Sequence, residues 1–260
     1  MSYFMEKLTN VSLASAWRYL SQPSFFWARL QMPPPSSLAE AALSIFKDSN
    51  AEEIERYRLE LLRNQRFFEE IDEKMLAKRF RRATPAEWLE LVYVLVRLKR
   101  PEIIVETGVF DGASSATFLQ ALHDNQKGLL ISIDLPAVET IEGSTQAMRE
   151  TKLPPGCQPG WVIPDYLKVR HELLLGDARQ ILPRVLETHP QIDMFMHDSL
   201  HTYEHQLFEY RTAWPHLVPN GILMSDDFFW NVAFHDFCKE NRRPYHHLGG
   251  FGIVVPPGQV

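Results

Sequence analysis

Cysteine is scarce in this chain: 260 residues hold two, Cys157 and Cys238, with no CxxC spacing. That excludes a disulfide framework and a thiolate zinc site, and it makes a reducing cytoplasm the expected compartment. Long apolar runs are missing as well. The longest, Leu91 to Val96, is far too short to span a bilayer, and Glu6 and Lys7 stand where a signal peptide would need apolar residues. A soluble, unexported protein without a membrane partner is expected. Positive charge is in deficit, 27 Lys and Arg against 33 Asp and Glu for a net charge of −6, so no cationic field would attract nucleic acid. Neither a GxxxxGK[ST] phosphate loop nor an internal repeat occurs.

What is present divides near residue 84. Residues 1–84 carry helix-type patterns without strand signals: a segment from Ser12 to Leu30, a Pro33-Pro34-Pro35-Ser36-Ser37 break, then a stretch rich in Ala, Leu, Glu and Arg. They are expected to form a helical extension that serves as a substrate cap or a dimer contact, which leaves room for a homo-oligomer. The basic run Lys78-Arg79-Phe80-Arg81-Arg82 reads as a solvated helix face.

From Thr84 the pattern changes. Thr84-Pro85-Ala86-Glu87 reads as N-cap, N1 proline and capping-box glutamate of a helix running to about Leu98. Strands are then expected at Ile103–Glu106, Leu129–Asp134, Glu172–Leu175, Ile192–Met196, Ile222–Met224, about Tyr245 and at Phe251–Val255. Helices are expected at Ala113–His123, about Ile181–Glu187 and Thr202–Trp214. The alternation predicts an α/β domain over 85–260, doubly wound, with helices on both faces of a mostly parallel sheet of seven strands. Its ligands would lie beyond the carboxyl ends of the strands.

Those ends carry the polar residues. The first strand closes in Glu106-Thr107-Gly108-Val109-Phe110-Asp111-Gly112-Ala113-Ser114, a glycine-bearing turn that opens a helix. A dinucleotide fingerprint would need glycine where Glu106 stands; a carboxylate there suits a cationic ligand. Asp134 ends the second strand, where an acid can accept both hydroxyls of a ribose, and Gly176-Asp177 ends the third. Each acid alone is readily an N-cap, whereas three in succession favour a ligand site. Asp198 follows strand four, and Asp226-Asp227 follow strand five. In a parallel sheet these converge, and as hard oxygen donors they suit Mg²⁺ or a similar divalent cation; the alternative is that Asp226 and Asp227 cap the following helix.

The set Glu106-x-Gly108-x-x-x-Gly112-x-Ser114, Asp134 and Gly176-Asp177 resembles the cofactor site of class I S-adenosylmethionine-dependent methyltransferases, a Rossmann-like fold. The resemblance implies that Gly108 and Gly112 line the methionine portion, that Ser114 meets its carboxylate, and that Asp134 holds the ribose. It further implies that the Asp177 region borders adenine and that Glu106 fixes the turn. Asp198, Asp226 and Asp227 match the metal positions of the metal-dependent O-methyltransferases, nearest the macrocin O-methyltransferase and cephalosporin hydroxylase type. The usual Asp-Gly-Asp-His-[Ser/Thr]-Tyr of that branch reads Asp198-Ser199-Leu200-His201-Thr202-Tyr203 here, so the second acid is lost.

His201, with an ordinary pKa near 6.5, suits a general base beside Asp198; the alternative is that it caps the next helix. A zinc site of His197, His201 and His205 is disfavoured because strand and helix do not give the three one face, and His197 is left bordering the cofactor. Phe228-Phe229-Trp230 are core residues or an acceptor wall, and Trp161, Pro164 and Tyr166 lie in an insertion, 135–170, that could close over the site. The expected activity is O-methyl transfer to a small-molecule hydroxyl of a sugar or natural product. A metal-independent methyltransferase and a non-catalytic cofactor-binding protein stand as alternatives.

Overall fold

The computed structural model of the chain describes residues 31–79, 86–136 and 153–257. The expected helix Ser12–Leu30, the end of the basic run, Thr84-Pro85 and the first part of the insertion lie outside these. Helices α1 (Leu38–Ile45), α2 (Ala51–Leu62) and α3 (Gln65–Arg79) precede α4 (Glu87–Lys99), β1 (Ile103–Thr107), α5 (Ala113–Asn125) and β2 (Leu129–Asp134). After a 3₁₀ turn (Asp165–Arg170) come β3 (His171–Leu175), α6 (Ala178–Thr188), β4 (Ile192–His197), α7 (Tyr203–Ala213), β5 (Leu217–Ser225), α8 (Ala233–Glu240), β6 (Tyr245–Leu248) and β7 (Phe251–Val254).

The sheet has seven strands in the order β3-β2-β1-β4-β5-β7-β6, parallel except for β7, which runs antiparallel to both its neighbours. The expected doubly wound α/β fold is therefore present. Alternation along each strand sorts the core into two layers. Ile104, Leu130, Met194, Met196, Ile222 and Met224 join α4 and α5 on one face. Val105, Ile131, Phe195 and Leu223 join α6, α7 and α8 on the other. Helices α2 and α3 bury Ile54, Leu61, Phe67, Ile71 and Met75 in the first of these layers. α1 is further tied to the last hairpin, where Ser36 N donates to His247 O at 2.8 Å.

Local sequence explains most boundaries. Ser37 and Glu40 form a reciprocal capping box on α1, Asn50 caps α2, and Asp177 and Thr202 cap α6 and α7. The start of α4 differs from expectation: its N-cap is Ala86, extended at ψ 143 and without a side-chain cap, so the helix opens after the Thr84-Pro85 pair rather than on it. β5 begins at Leu217, ahead of the expected Ile222, so Asn220-Gly221 falls inside it with Asn220 at φ 61, and the β4–β5 register slips between Ile192 and Met194.

Candidate functional site

Register brings the ends of β1, β4 and β5 level, Thr107 beside His197 and His197 beside Ser225. The loops leaving these strands therefore meet at one edge. Gly108 (φ +83) has a backbone conformation that favours glycine, and a Cβ on it would stand 2.0 Å from the Asp198 carbonyl oxygen. Gly112 (φ +102) is the N-cap of α5 and offers no side chain to its first-turn N–H groups; a Cβ there would meet Gly160 Cα at 2.7 Å.

The glycine turn is braced from all sides. Asp134 Oδ2 accepts from Val109 N (2.9 Å) and Phe110 N (2.8 Å), while its Oδ1 accepts from Leu135 N (2.7 Å). Burial raises the Asp134 pKa against these three hydrogen bonds. Asp111 Oδ1 accepts from Arg79 Nη2 of α3 and from Trp161 Nε1 of the insertion, each at 2.7 Å. Gly160 N and Val162 N donate to the carbonyls of Phe110 and Asp111. Trp161 is thus seated on the turn, whereas Tyr166 turns away to donate to Gln120 Oε1 at 2.6 Å.

Strand alternation sends Glu106 to the α5 face. It is fully buried, and its carboxylate accepts from Ser114 Oγ and Ser115 Oγ at 2.5 Å and from Ser132 Oγ at 2.9 Å. Burial outweighs these three donors and lifts its pKa to about 7. The Ser114 hydroxyl is thereby engaged by Glu106. Asp177, exposed, accepts from Arg179 N at 2.8 Å as the cap of α6.

Beyond β4 and β5, ligand atoms of Asp198, His201 and Asp226 all lie within 4.8 Å of one another. His201 Nε2 is 3.8 Å from Asp198 Oδ1 and 4.0 Å from Asp227 Oδ2, buried, and without a hydrogen-bond partner. Burial and the neighbouring carboxylates raise the pKa of Asp198 well above the ordinary range, with Asp226 its first charged neighbour. Asp226 is raised by burial, and Asp227 reaches about 6 through burial and the charge of Asp226. His201 falls to about 4 because burial opposes its cationic form. Neither Asp226 nor Asp227 caps the helix that follows: the N-cap of α8 is Val232, and Asn231 Oδ1 accepts from Ala233 N at 2.7 Å. Nor does His201 cap α7, a task that Thr202 performs.

The two carboxylates at this spacing, Asp198 and Asp226, with Asp227 beside them, repel unless protonated or neutralised by a cation. The donor set of carboxylate oxygens and one bare imidazole nitrogen fits a small divalent metal. His197, which sequence reasoning left bordering the cofactor, is fully buried, its Nδ1 2.5 Å from Glu209 Oε2. Glu209 was not foreseen; the one local signal is its i,i+4 spacing from His205 on α7. Of the aromatic run, Phe228 is core, whereas Trp230 is 43% exposed with its ring centroid 5.3 Å from that of His201.

Compared with known proteins, residues 105–228 match a family model described as a methyltransferase domain. No curated protein matches the chain by sequence. Among solved structures, a Podospora anserina methyltransferase bound to S-adenosylhomocysteine aligns with a TM-score of 0.51 at 13% identity, over 80% of this chain and 96% of that one. A Bacillus cereus O-methyltransferase in complex with S-adenosylhomocysteine aligns at 0.51 and 14% identity, over 75% and 93%. A Geobacter sulfurreducens methyltransferase aligns at 0.50 and 16%, over 76% and 90%. At these identities the likeness is one of fold.

Proposed function

We propose that the chain, whose residues 105–228 match a methyltransferase-domain family model, transfers the methyl group of S-adenosylmethionine to a hydroxyl of a small molecule, assisted by a divalent cation such as Mg²⁺. The observation that carries this reading is the abutment of two sites: the Gly108 turn lies directly against Asp198, one of three residues whose ligand atoms fall within 4.8 Å.

When bound, the cofactor supplies an electrophilic methyl on a sulfonium sulfur. The chain supplies the rest of its site. The uncapped N-terminus of α5 at Gly112 suits the carboxylate of the methionine portion. Glu106 beneath the turn, with one acceptor position left after its three serine bonds, suits its cationic end, and Asp134, likewise with one position left after its three backbone bonds, suits a ribose hydroxyl. Gly108 lines the methionine portion, and Asp177 borders the adenine side. Ser114 acts through Glu106, which it orients.

Asp198, Asp226 and Asp227 are the proposed cation ligands. A cation held there would supply Lewis acidity toward an acceptor oxygen. His201 Nε2 faces the same cluster as a bare lone pair, neutral at physiological pH, in the state that a proton acceptor or a nitrogen ligand requires. Support for an oxygen acceptor comes from the hard donor set and from the O-methyltransferase of Bacillus cereus with the same fold. The aligned protein acts on oxygen; this chain is read likewise because its own cluster suits an alkoxide or phenolate.

Calorimetric titration of S-adenosylhomocysteine into metal-stripped protein, with and without Mg²⁺, tests the proposal. Saturable binding in wild type is expected. A magnesium-binding heat that an Asp226→Ala, Asp227→Ala double variant lacks is expected too. Absence of nucleoside binding under every condition would overturn the cofactor assignment, and methyl transfer surviving thorough chelation would overturn the metal.

A further inference from the structure

Glu209 projects from α7 into the junction of three chain segments and is fully buried. Its Oε2 accepts from Thr107 Oγ1 (2.6 Å), at the end of β1, and pairs with His197 Nδ1 (2.5 Å), at the end of β4. Its Oε1 accepts from Ser199 Oγ and pairs with His205 Nε2, both at 2.8 Å. A carboxylate offers about four acceptor positions, and all four are filled. Burial would push the Glu209 pKa up, but the charge and hydrogen bonds of His197 and His205 outweigh it and hold the group well below the ordinary carboxylate range.

A carboxylate donates nothing, so each imidazole must turn an N–H toward it. That places an N–H at His197 Nδ1, while Nε2, on the far side of the ring, is buried and unpartnered. The same carboxylate pins Ser199, which stands between Asp198 and His201. His201 Nε2 faces Asp198 at 3.8 Å and Asp227 at 4.0 Å without a hydrogen-bond partner. One buried group thus holds the strand that delivers Asp198 and the loop that aims His201. The His197 ring packs edge-on against that of His201, their centroids 5.2 Å apart.

We propose that Glu209 is a positioning residue of the cation site, orienting the Asp198–His201 loop through Ser199 and His197. The inference rests on the cation assigned under the proposed function. It is tested on the full chain with Glu209→Gln and Ser199→Ala, read by Mn²⁺ titration followed by electron paramagnetic resonance, by S-adenosylhomocysteine calorimetry, and by ¹⁵N spectra of the histidine rings. For Glu209→Gln, the Mn²⁺ dissociation constant is expected to rise roughly 10–100-fold. Nucleoside affinity should be unchanged, and the Nδ1–H signature of His197 should be lost. Ser199→Ala should weaken Mn²⁺ in the same direction while the His197 signature persists, and it carries the test if the glutamine variant does not fold. Wild-type Mn²⁺ binding with both variants within about two-fold of it would overturn the inference alone. Failure of wild type to bind Mn²⁺ would overturn the cation reading and the inference with it.

Discussion

Gly108 and Asp198 interlock across the carboxyl edge of the sheet: the Asp198 N–H donates to Thr107 O at 2.8 Å, and its carbonyl oxygen occupies the space a Gly108 Cβ would need, 2.0 Å away. Backbone cannot swing aside as a side chain can. Gly108→Ala would combine left-handed strain with this clash, together roughly 2–6 kcal/mol. Relief requires the turn and the Asp198 loop to move apart. We expect both nucleoside and cation binding to fall in this one variant, measured by calorimetry, whereas loss of one alone would mean that the two sites are not mechanically joined.

Glu106 gives stability a pH dependence of known sign. Its folded pKa, about 7, lies above the ordinary 4.5, so between these values the folded state holds a proton that the unfolded state has lost. Stability must therefore decline as pH rises through this window and stay low above it. The size is about 3 kcal/mol for a group this buried. Glu106→Gln should flatten that decline. Urea midpoints of both proteins at pH 5 and pH 7.5 in chelator test it, and parallel curves would assign the slope to the Asp198 cluster.

Much of this architecture is legible in the sequence because it is local. Strands such as Leu129–Asp134 announce themselves by apolar runs bounded by turn signals, and the strand-end acids follow from counting units. The cap of α6 by Asp177 is likewise a local fact. What was not legible depends on register. Glu209 shows an i,i+4 relation to His205, yet its partners Thr107 and His197 come from strands 102 and 12 residues away. Their meeting requires β1 and β4 to be neighbours. The engagement of Ser114 by Glu106 is hidden for the same reason, since Ser132, which shares that carboxylate, belongs to the adjacent strand.

The cation should bind in competition with protons. Asp198 and Asp226 are raised and Asp227 stands at about 6, so below that pH the cluster holds protons that a metal must displace. We expect Mn²⁺ affinity to fall as pH is lowered from 7.5 to 5.5. His201, at about 4, stays neutral throughout and adds nothing to this change. In thermal unfolding, ion at a hundredfold excess over its dissociation constant should add about 2.7 kcal/mol at the higher pH. The increment should shrink at the lower pH and vanish in Asp226→Ala. An equal increment at both pH values would place the ion elsewhere.

Arg79 joins the N-terminal helices to the glycine turn. Its Nη2 donates to Asp111 Oδ1, which Trp161 Nε1 shares, and its guanidinium lies 5.0 Å from the Phe110 ring centroid. Asp111 is nearly buried, so removing Arg79 leaves a poorly solvated carboxylate. Arg79→Ala is expected to cost roughly 1–3 kcal/mol and to weaken S-adenosylhomocysteine, because Phe110 N and Val109 N are the donors on Asp134. Asp111→Asn, which keeps Trp161 bonded, should cost less. Denaturant midpoints and calorimetry measure both, and an Arg79→Ala protein with wild-type nucleoside affinity would uncouple the extension from the turn.

The N-terminal helices are expected to melt with the sheet. Phe67, Ile71 and Met75 on α3 are buried in the layer that also holds Val92 and Val96 of α4 and Met194 of β4, so this face of the sheet shares one core with the extension. Phe67→Ala removes a side chain only 2% exposed and should cost roughly 3–5 kcal/mol. Leu76, on the same helix but 43% exposed, is the control, with a change within about 0.5 kcal/mol on truncation to Ala. If one core serves both, Phe67→Ala lowers the midpoint of a single transition seen alike by far-ultraviolet circular dichroism and by tryptophan fluorescence, and the slope is kept. If the extension were an independent unit, the same substitution would split the curve, leaving the parallel sheet to unfold at its wild-type midpoint. The burial of α3 against the layer beneath it argues for the first outcome.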